Sequence, residues 1–169
     1  MRKLFFLVLA LAFVVPSFGQ TALRLGNDAP EFTASAMDGR SYDLNSMRGR
    51  VVVLTFWSTK CEICRHEIPK LNTFAARFDE SKVVFLAATL ENEEKVGSYL
   101  KANPFKFHIL PNSFAMILKY ADRDKQGNLD MGFPAYFVID QAGTVAYRGS
   151  GWDKTVELDL RLTKLLAAK

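Results

Sequence analysis

Apolar residues recur along the chain with two distinct spacings. Residues 51–57 (VVVLTFW) and 82–90 (KVVFLAATL) are nearly continuous apolar runs rich in β-branched side chains. Strands buried on both faces read this way. Leu71, Phe74, Ala75 and Phe78 instead recur at i, i+3, i+4 and i+7, which marks the apolar stripe of a helix beginning around the cysteines. Pro69 lies inside that stripe and is expected to kink the helix. Residues 91–102 read as a surface helix with its charges toward solvent. Residues 107–110 read as a short extended piece ahead of Pro111. Residues 113–121 read as a further helix capped by Asn112 or Ser113, and residues 156–166 as a C-terminal amphipathic helix.

Turn chemistry separates these runs. Residues 32–36 and 42–44 flank Met37-Asp38-Gly39-Arg40, and an Asp-Gly pair between short apolar runs signals a hairpin. Residues 135–140 and 144–148 flank Gln141-Ala142-Gly143 in the same manner. Residues 21–30 read as an irregular lead-in. Residues 122–130 (DRDKQGNLD) superficially resemble a calcium loop, with acids at alternate positions followed by Gly127. The fifth position is Gln126, however, and Phe133 stands where a bidentate Glu is needed, so a solvated polar loop is expected. The order is hairpin, strand, helix, strand, helices, hairpin, helix, with no internal repeat and no linker. That order implies one α/β domain, a mixed central sheet flanked by helices with an N-terminal β-hairpin extension.

The first residues stand apart from this domain. Arg2 and Lys3 precede an unbroken apolar run at residues 4–15, followed by Pro16, Ser17, Phe18 and Gly19. This is the pattern of a secretory signal peptide over residues 1–19, cleaved after Gly19, with an uncleaved anchor as the alternative. The run is short for a span, which needs roughly 17–25 residues. The domain then occupies residues 20–169. With 169 residues, 49% hydrophobic and 24% charged, the chain is that of an ordinary globular protein, and its 14 Phe residues suggest aromatic packing in the core. Losing residues 1–19 removes the two charges of Arg2 and Lys3 and no acid, so the net charge of +4 becomes +2. No basic block remains, and nucleic acid is not expected as a partner.

Two cysteines remain, in Cys61-Glu62-Ile63-Cys64. A pair this close closes a small loop and adds little as a staple. The pair follows a buried strand and opens a helix, where unpaired N–H groups and the helix dipole favour a thiolate. The first cysteine should therefore carry a depressed pKa and be the attacking species, with the second less exposed and resolving the mixed disulfide. A zinc site would have to recruit His66 and His108, whose spacing matches no common zinc pattern. A c-type haem needs His directly after the second cysteine, and Arg65 is there. A passive disulfide is the remaining alternative. No metal and no cofactor is expected.

Residues 51–71 (VVVLTFWSTKCEICRHEIPKL) resemble the active-site region of thioredoxin-like proteins of the TlpA/ResA type. So do Ala29-Pro30-Glu31-Phe32 with Asp38-Gly39, and Gly132-Phe133-Pro134-Ala135-Tyr136-Phe137-Val138-Ile139-Asp140 followed by Gly143. The likeness runs from about Gly26 to the C-terminus and implies a thioredoxin-like fold. It implies Cys61 as nucleophile, Cys64 as resolving cysteine and the two together as a redox-active disulfide. It implies Pro134 as a cis-proline facing that disulfide, turning the Phe133 backbone toward an extended client segment. Trp57 would end the strand beside the site and join Phe133 and Pro134 in substrate binding. Glu67 falls where the ResA type carries an acid near the cysteines, and a buried carboxylate there could hold a proton with a raised pKa. An exposed helix Glu is the alternative. Thioredoxins proper carry an Asp two residues before the Trp, and here that slot is Thr55. Lys60 and Ile63 stand where an aromatic and a proline are frequent. Lys60 could stabilise the thiolate or be a solvated lysine, Ile63 frees a backbone N–H, and Glu62 opposes Lys60. These three tune the thiolate in a direction the sequence leaves open. His66 reads as a surface histidine and His108 as a structural one.

The reading that results is an exported thiol–disulfide oxidoreductase that exchanges disulfides with client proteins. The resemblance favours reduction of clients, with apocytochrome c cysteines as one candidate. A reductant in an oxidising compartment requires a membrane electron donor. The alternatives are a thiol peroxidase, whose usual Pro and Thr pattern is absent before Cys61, and a copper metallochaperone, whose cysteines are usually spaced more widely.

Overall fold

The computed structural model of the chain describes residues 23–167. The segment read as a signal peptide, residues 1–19, lies outside the described residues. Among the described residues no helix is long and apolar enough to cross a membrane.

The two apolar runs form the centre of the fold. β3 (Val51–Phe56) and β4 (Val83–Ala88) pair in parallel, and every residue of both is buried. β3 also pairs antiparallel with β8 (Ala135–Ile139), which pairs antiparallel with β9 (Val145–Ser150). β5 (His108–Leu110) adds in parallel to β4, giving a five-stranded mixed sheet in the order β5-β4-β3-β8-β9. The alternation of a strand divides the core between two layers. Val52, Leu54 and Phe56 face one layer, while Val51, Val53 and Trp57 face the other.

α1 (Glu62–Ala75), α2 (Glu93–Leu100) and α4 (Thr155–Ala167) supply the second layer through Leu71, Val96, Leu158 and Leu162, among others. α3 (Phe114–Tyr120) and the N-terminal hairpin of β1 (Thr33–Ser35) and β2 (Ser41–Asp43) cover the first. The expected hairpin extension is therefore present, and its Asp38-Gly39 turn uses the left-handed backbone of Gly39 (φ +83°). The hairpin reaches the edge of the sheet, where Met37 N–H donates to the Ile109 carbonyl at 3.0 Å. The lead-in meets the opposite edge: Gly26 N–H donates to Val145 O, and Ala29 N–H to Gly143 O, both at 2.9 Å.

Several expectations need correction. Residues 122–130 are not a plain loop: β6 (Asp122–Arg123) and β7 (Leu129–Asp130) pair antiparallel. Asp124 organises the turn between them, accepting from the backbone N–H of Gln126 at 2.9 Å and of Asn128 at 2.8 Å. Ser113 occupies the cap position of α3, but its hydroxyl donates back to Leu110 O at 2.9 Å and makes no capping bond. His108 has the structural role expected of it. It stacks on Tyr42, with Asp38 at 3.0 Å from Nδ1 and Glu80 at 3.0 Å from Nε2, and so ties the hairpin turn to β5.

Candidate active site

The last rung between β3 and β4 is the bond from Trp57 N–H to Ala88 O at 3.1 Å. Beyond it the chain leaves the sheet, turns at Ser58, where Cys61 N–H donates to Ser58 O at 3.1 Å, and enters α1. Cys61 is the N-cap of α1, with extended backbone (φ −84°, ψ 108°). Its sulfur accepts from Cys64 N–H at 3.0 Å, in the place where a Ser or Asp oxygen usually caps a helix. Cys61 and Cys64 form a disulfide with Cα atoms 5.2 Å apart. The two sulfurs are not equivalent, because Cys64 is only 2% exposed whereas Cys61 is half-buried against the same apolar layer. On reduction, the Cys64 N–H and the helix dipole would both favour charge on Cys61.

Phe133, half-buried, packs against both apolar layers, and the Phe133–Pro134 peptide bond is cis. Trp57 is 1% exposed, with its ring against Tyr99 (5.6 Å between centroids) and Phe105 (5.5 Å). It belongs to the apolar layer beneath the sheet, where α1 also packs. Thr55 and Tyr136 are register partners across β3 and β8, and both are buried. Burial, with the Glu67 carboxylate adding to it, holds the Tyr136 phenol well above its usual range.

Glu67 is fully buried on α1, one turn after Cys64. The alternative of an exposed helix Glu is thereby removed. Its two oxygens accept from Lys70 Nζ at 2.9 Å and from Asp153 N–H at 3.0 Å. Lys70 also pairs with Asp153, so Glu67 ties α1 to the segment between β9 and α4. Hydrogen bonds to Asp153 and Glu67 raise the Lys70 pKa.

Of the three residues expected to tune the thiolate, Lys60 is exposed and Ile63 half-buried. Glu62 is turned toward its own helix, paired with Arg65 and, at 3.1 Å, with His66. The Arg65 hydrogen bond is the main reason its carboxyl lies below the usual range. His66 is exposed and its ring leans on Trp152 at 5.6 Å. Among the described residues no group of three or more His, Cys, Asp or Glu side chains is placed to hold a metal.

Sequence reasoning missed Glu91. It was expected to point to solvent, but its side chain is 10% exposed and reaches back to Thr59, two residues before Cys61. A charged residue at a helix entrance reads as solvated, and nothing in the local pattern marks it as turned inward.

Comparison with known proteins agrees with this geometry. A thiol-disulfide oxidoreductase ResA of Bacillus cereus is 27% identical over 145 residues, spanning 85% of this chain and 79% of that protein. The solved thiol:disulfide interchange protein of the thioredoxin family from Chlorobium tepidum TLS superimposes with a TM-score of 0.71 at 23% identity, covering 87% of this chain and all of that one. This likeness shows the fold. DsbF of MTB, solved in mixed oxidised and reduced forms, gives a TM-score of 0.65 at 26% identity over 81% of this chain and 98% of its own. The AhpC/TSA family profile matches residues 25–148, and with its thioredoxin-like fold the chain belongs to that family.

Proposed function

We propose that the protein is an exported thiol–disulfide oxidoreductase that reduces disulfides in client proteins through Cys61 and Cys64. One observation carries this reading: half-buried Cys61 caps the first turn of α1 through its sulfur, and its disulfide partner Cys64 is only 2% exposed. The relatives named thiol-disulfide oxidoreductase support the chemistry, and the reducing direction rests on the resemblance to the ResA type.

In the reduced protein the Cys61 thiolate attacks one sulfur of a client disulfide. A mixed disulfide forms and the first client thiolate leaves. Cys64 then gives up its proton and attacks Cys61 Sγ, which releases the second client thiolate and restores the Cys61–Cys64 disulfide. Two electrons pass from the pair to the client. Glu67, on the same face of α1 at i+3 from Cys64, accepts the proton Cys64 gives up, and half-exposed Lys70 links it to solvent. Phe133 and Pro134 form the wall against which the client segment lies, while Lys60 adds positive charge beside the Cys61 turn. A membrane electron donor returns the pair to the dithiol, and disulfides between the cysteines of apocytochrome c are one substrate class.

The test is the reduction potential of the pair, measured by equilibrium with redox buffers. A value near −270 mV, roughly that of thioredoxin, supports a reductase, and one near −120 mV, roughly that of DsbA, would make the protein an oxidant. A pair that never equilibrates with thiols removes the exchange reading. Consumption of hydrogen peroxide in place of exchange would assign a thiol peroxidase, and tight stoichiometric Cu(I) binding without exchange a metallochaperone.

A further inference from the structure

The turn that carries Cys61 has left the sheet, and its outward hydrogen bonds converge on one carboxylate. Thr59 N–H donates to Glu91 Oε2 at 2.7 Å, and the Thr59 hydroxyl donates to Oε1 at 2.6 Å. Within the turn, Lys60 N–H and Cys61 N–H bond only back to Ser58. Glu91 is itself well anchored. Its oxygens also take the Thr89 hydroxyl at 3.3 Å and pair with Lys95 Nζ at 2.6 Å. Its carbonyl accepts from Asn112 N–H at 3.0 Å, and Thr89 O accepts from Ser113 N–H at 2.8 Å. The carboxylate is thus fixed to the end of β4 and the start of α3, and it grips the backbone and side chain of a single residue in the turn. Hydrogen bonds to an ionised acceptor are about twice as strong as neutral ones.

We infer that Glu91 is a positioning residue for disulfide exchange: by clamping Thr59 it fixes the Cys61 turn and sets how readily the Cys61–Cys64 disulfide is reduced. The inference rests on the exchange reading above. The physical link is effective concentration. An intramolecular disulfide is favoured over two thiols in proportion to how closely the fold holds the sulfurs together. Releasing the turn lets Cys61 move away from Cys64 in the dithiol, which favours reduction. The equilibrium concerned is disulfide plus two glutathione thiols giving dithiol plus glutathione disulfide.

The experiment is that equilibrium, measured on the full-length protein at fixed pH for wild type, Glu91→Ala, Glu91→Gln and Thr59→Ala. Glu91→Ala should shift it toward the dithiol by about fivefold or more, which is about 20 mV for a two-electron couple. Glu91→Gln keeps an oxygen for the Thr59 N–H and an amide for its hydroxyl, so it should stay within about twofold of wild type. Thr59→Ala removes one of the two bonds at a half-exposed site that does not threaten the fold, and should shift the equilibrium about two- to threefold in the same direction. A Glu91→Ala protein within twofold of wild type overturns the inference. So does an unshifted Thr59→Ala protein, which decides the matter even if Glu91→Ala does not fold. A Glu91→Gln shift as large as that of Glu91→Ala would make the charge responsible, not the clamp. Failure of the wild type itself to equilibrate would instead remove the exchange reading.

Discussion

The two sulfurs have different tasks because they have different surroundings, and substitution should separate them. Cys61→Ser should lose disulfide exchange to background. Cys64→Ser should retain attack and accumulate a mixed disulfide with a small disulfide substrate, visible as added mass on the intact protein. Accumulation on the wrong variant would reverse the assignment. Glu67→Gln keeps the shape and an acceptor oxygen but cannot take up a proton. The resolving step should slow, so that the mixed disulfide lives longer, whereas a purely structural Glu67 would leave that lifetime unchanged. For Glu91, burial pushes the carboxyl up, but the Lys95 pair and the two Thr59 bonds outweigh it, and the folded pKa lies below the usual value. The unfolded chain therefore binds more protons in the window between that folded pKa and about 4.3. The stabilisation is complete above about 4.3 and is lost as the pH falls through the folded pKa. Glu91→Gln should accordingly show a shallower loss of stability with acid than wild type, by denaturant melts between about pH 5 and 3. The cysteine pair was legible because its spacing and its place after a buried strand are local facts. The Glu91–Thr59 contact was not, since it joins residues 32 positions apart.

At the scale of elements, helices and central strands follow their apolar periods closely, because each buries a face that the period defines. Val83–Ala88 and Thr155–Ala167 fall within about a residue or two of the boundaries expected from sequence. The short hairpin at residues 122–130 escaped notice because strands of two residues carry no period. Its acids were expected to be solvated, whereas Asp124 spends its oxygens on the turn, including Asn128 Nδ2 at 3.0 Å. Those backbone and side-chain bonds hold the Asp124 carboxyl below the usual range. α4 is held to the sheet by Leu158 and Leu162, both with no exposure. Leu158→Ala should cost about 2–5 kcal/mol in chemical denaturation. Loss of less than about 1 kcal/mol would show that α4 contributes little to the cooperative core.

For the whole molecule, redox state and stability are linked. If the pair is as reducing as proposed, the fold favours the disulfide, and the oxidised protein should melt at a higher temperature than the dithiol. The opposite order, as in an oxidant whose reduced form is the stabilised one, would reverse the proposed direction of electron flow. Export carries its own expectation: protein recovered outside the cytoplasm should begin at Gln20, by N-terminal sequencing, and a start at Met1 would favour an anchor. The N-terminal segment bears on how such a chain comes to be folded at all. It meets both margins of the sheet, through Met37 on β5 and Gly26 and Ala29 beside β9, and Arg148 reaches Leu23 O across 125 positions. The first residues of the domain to be synthesised thus wait for partners among the last. Such non-local closure is slow, so a growing chain stays open until nearly all of it exists, the condition in which a polypeptide can still be threaded through a narrow channel. Once closed, the same segment covers backbone edges that would otherwise recruit strands from neighbouring molecules.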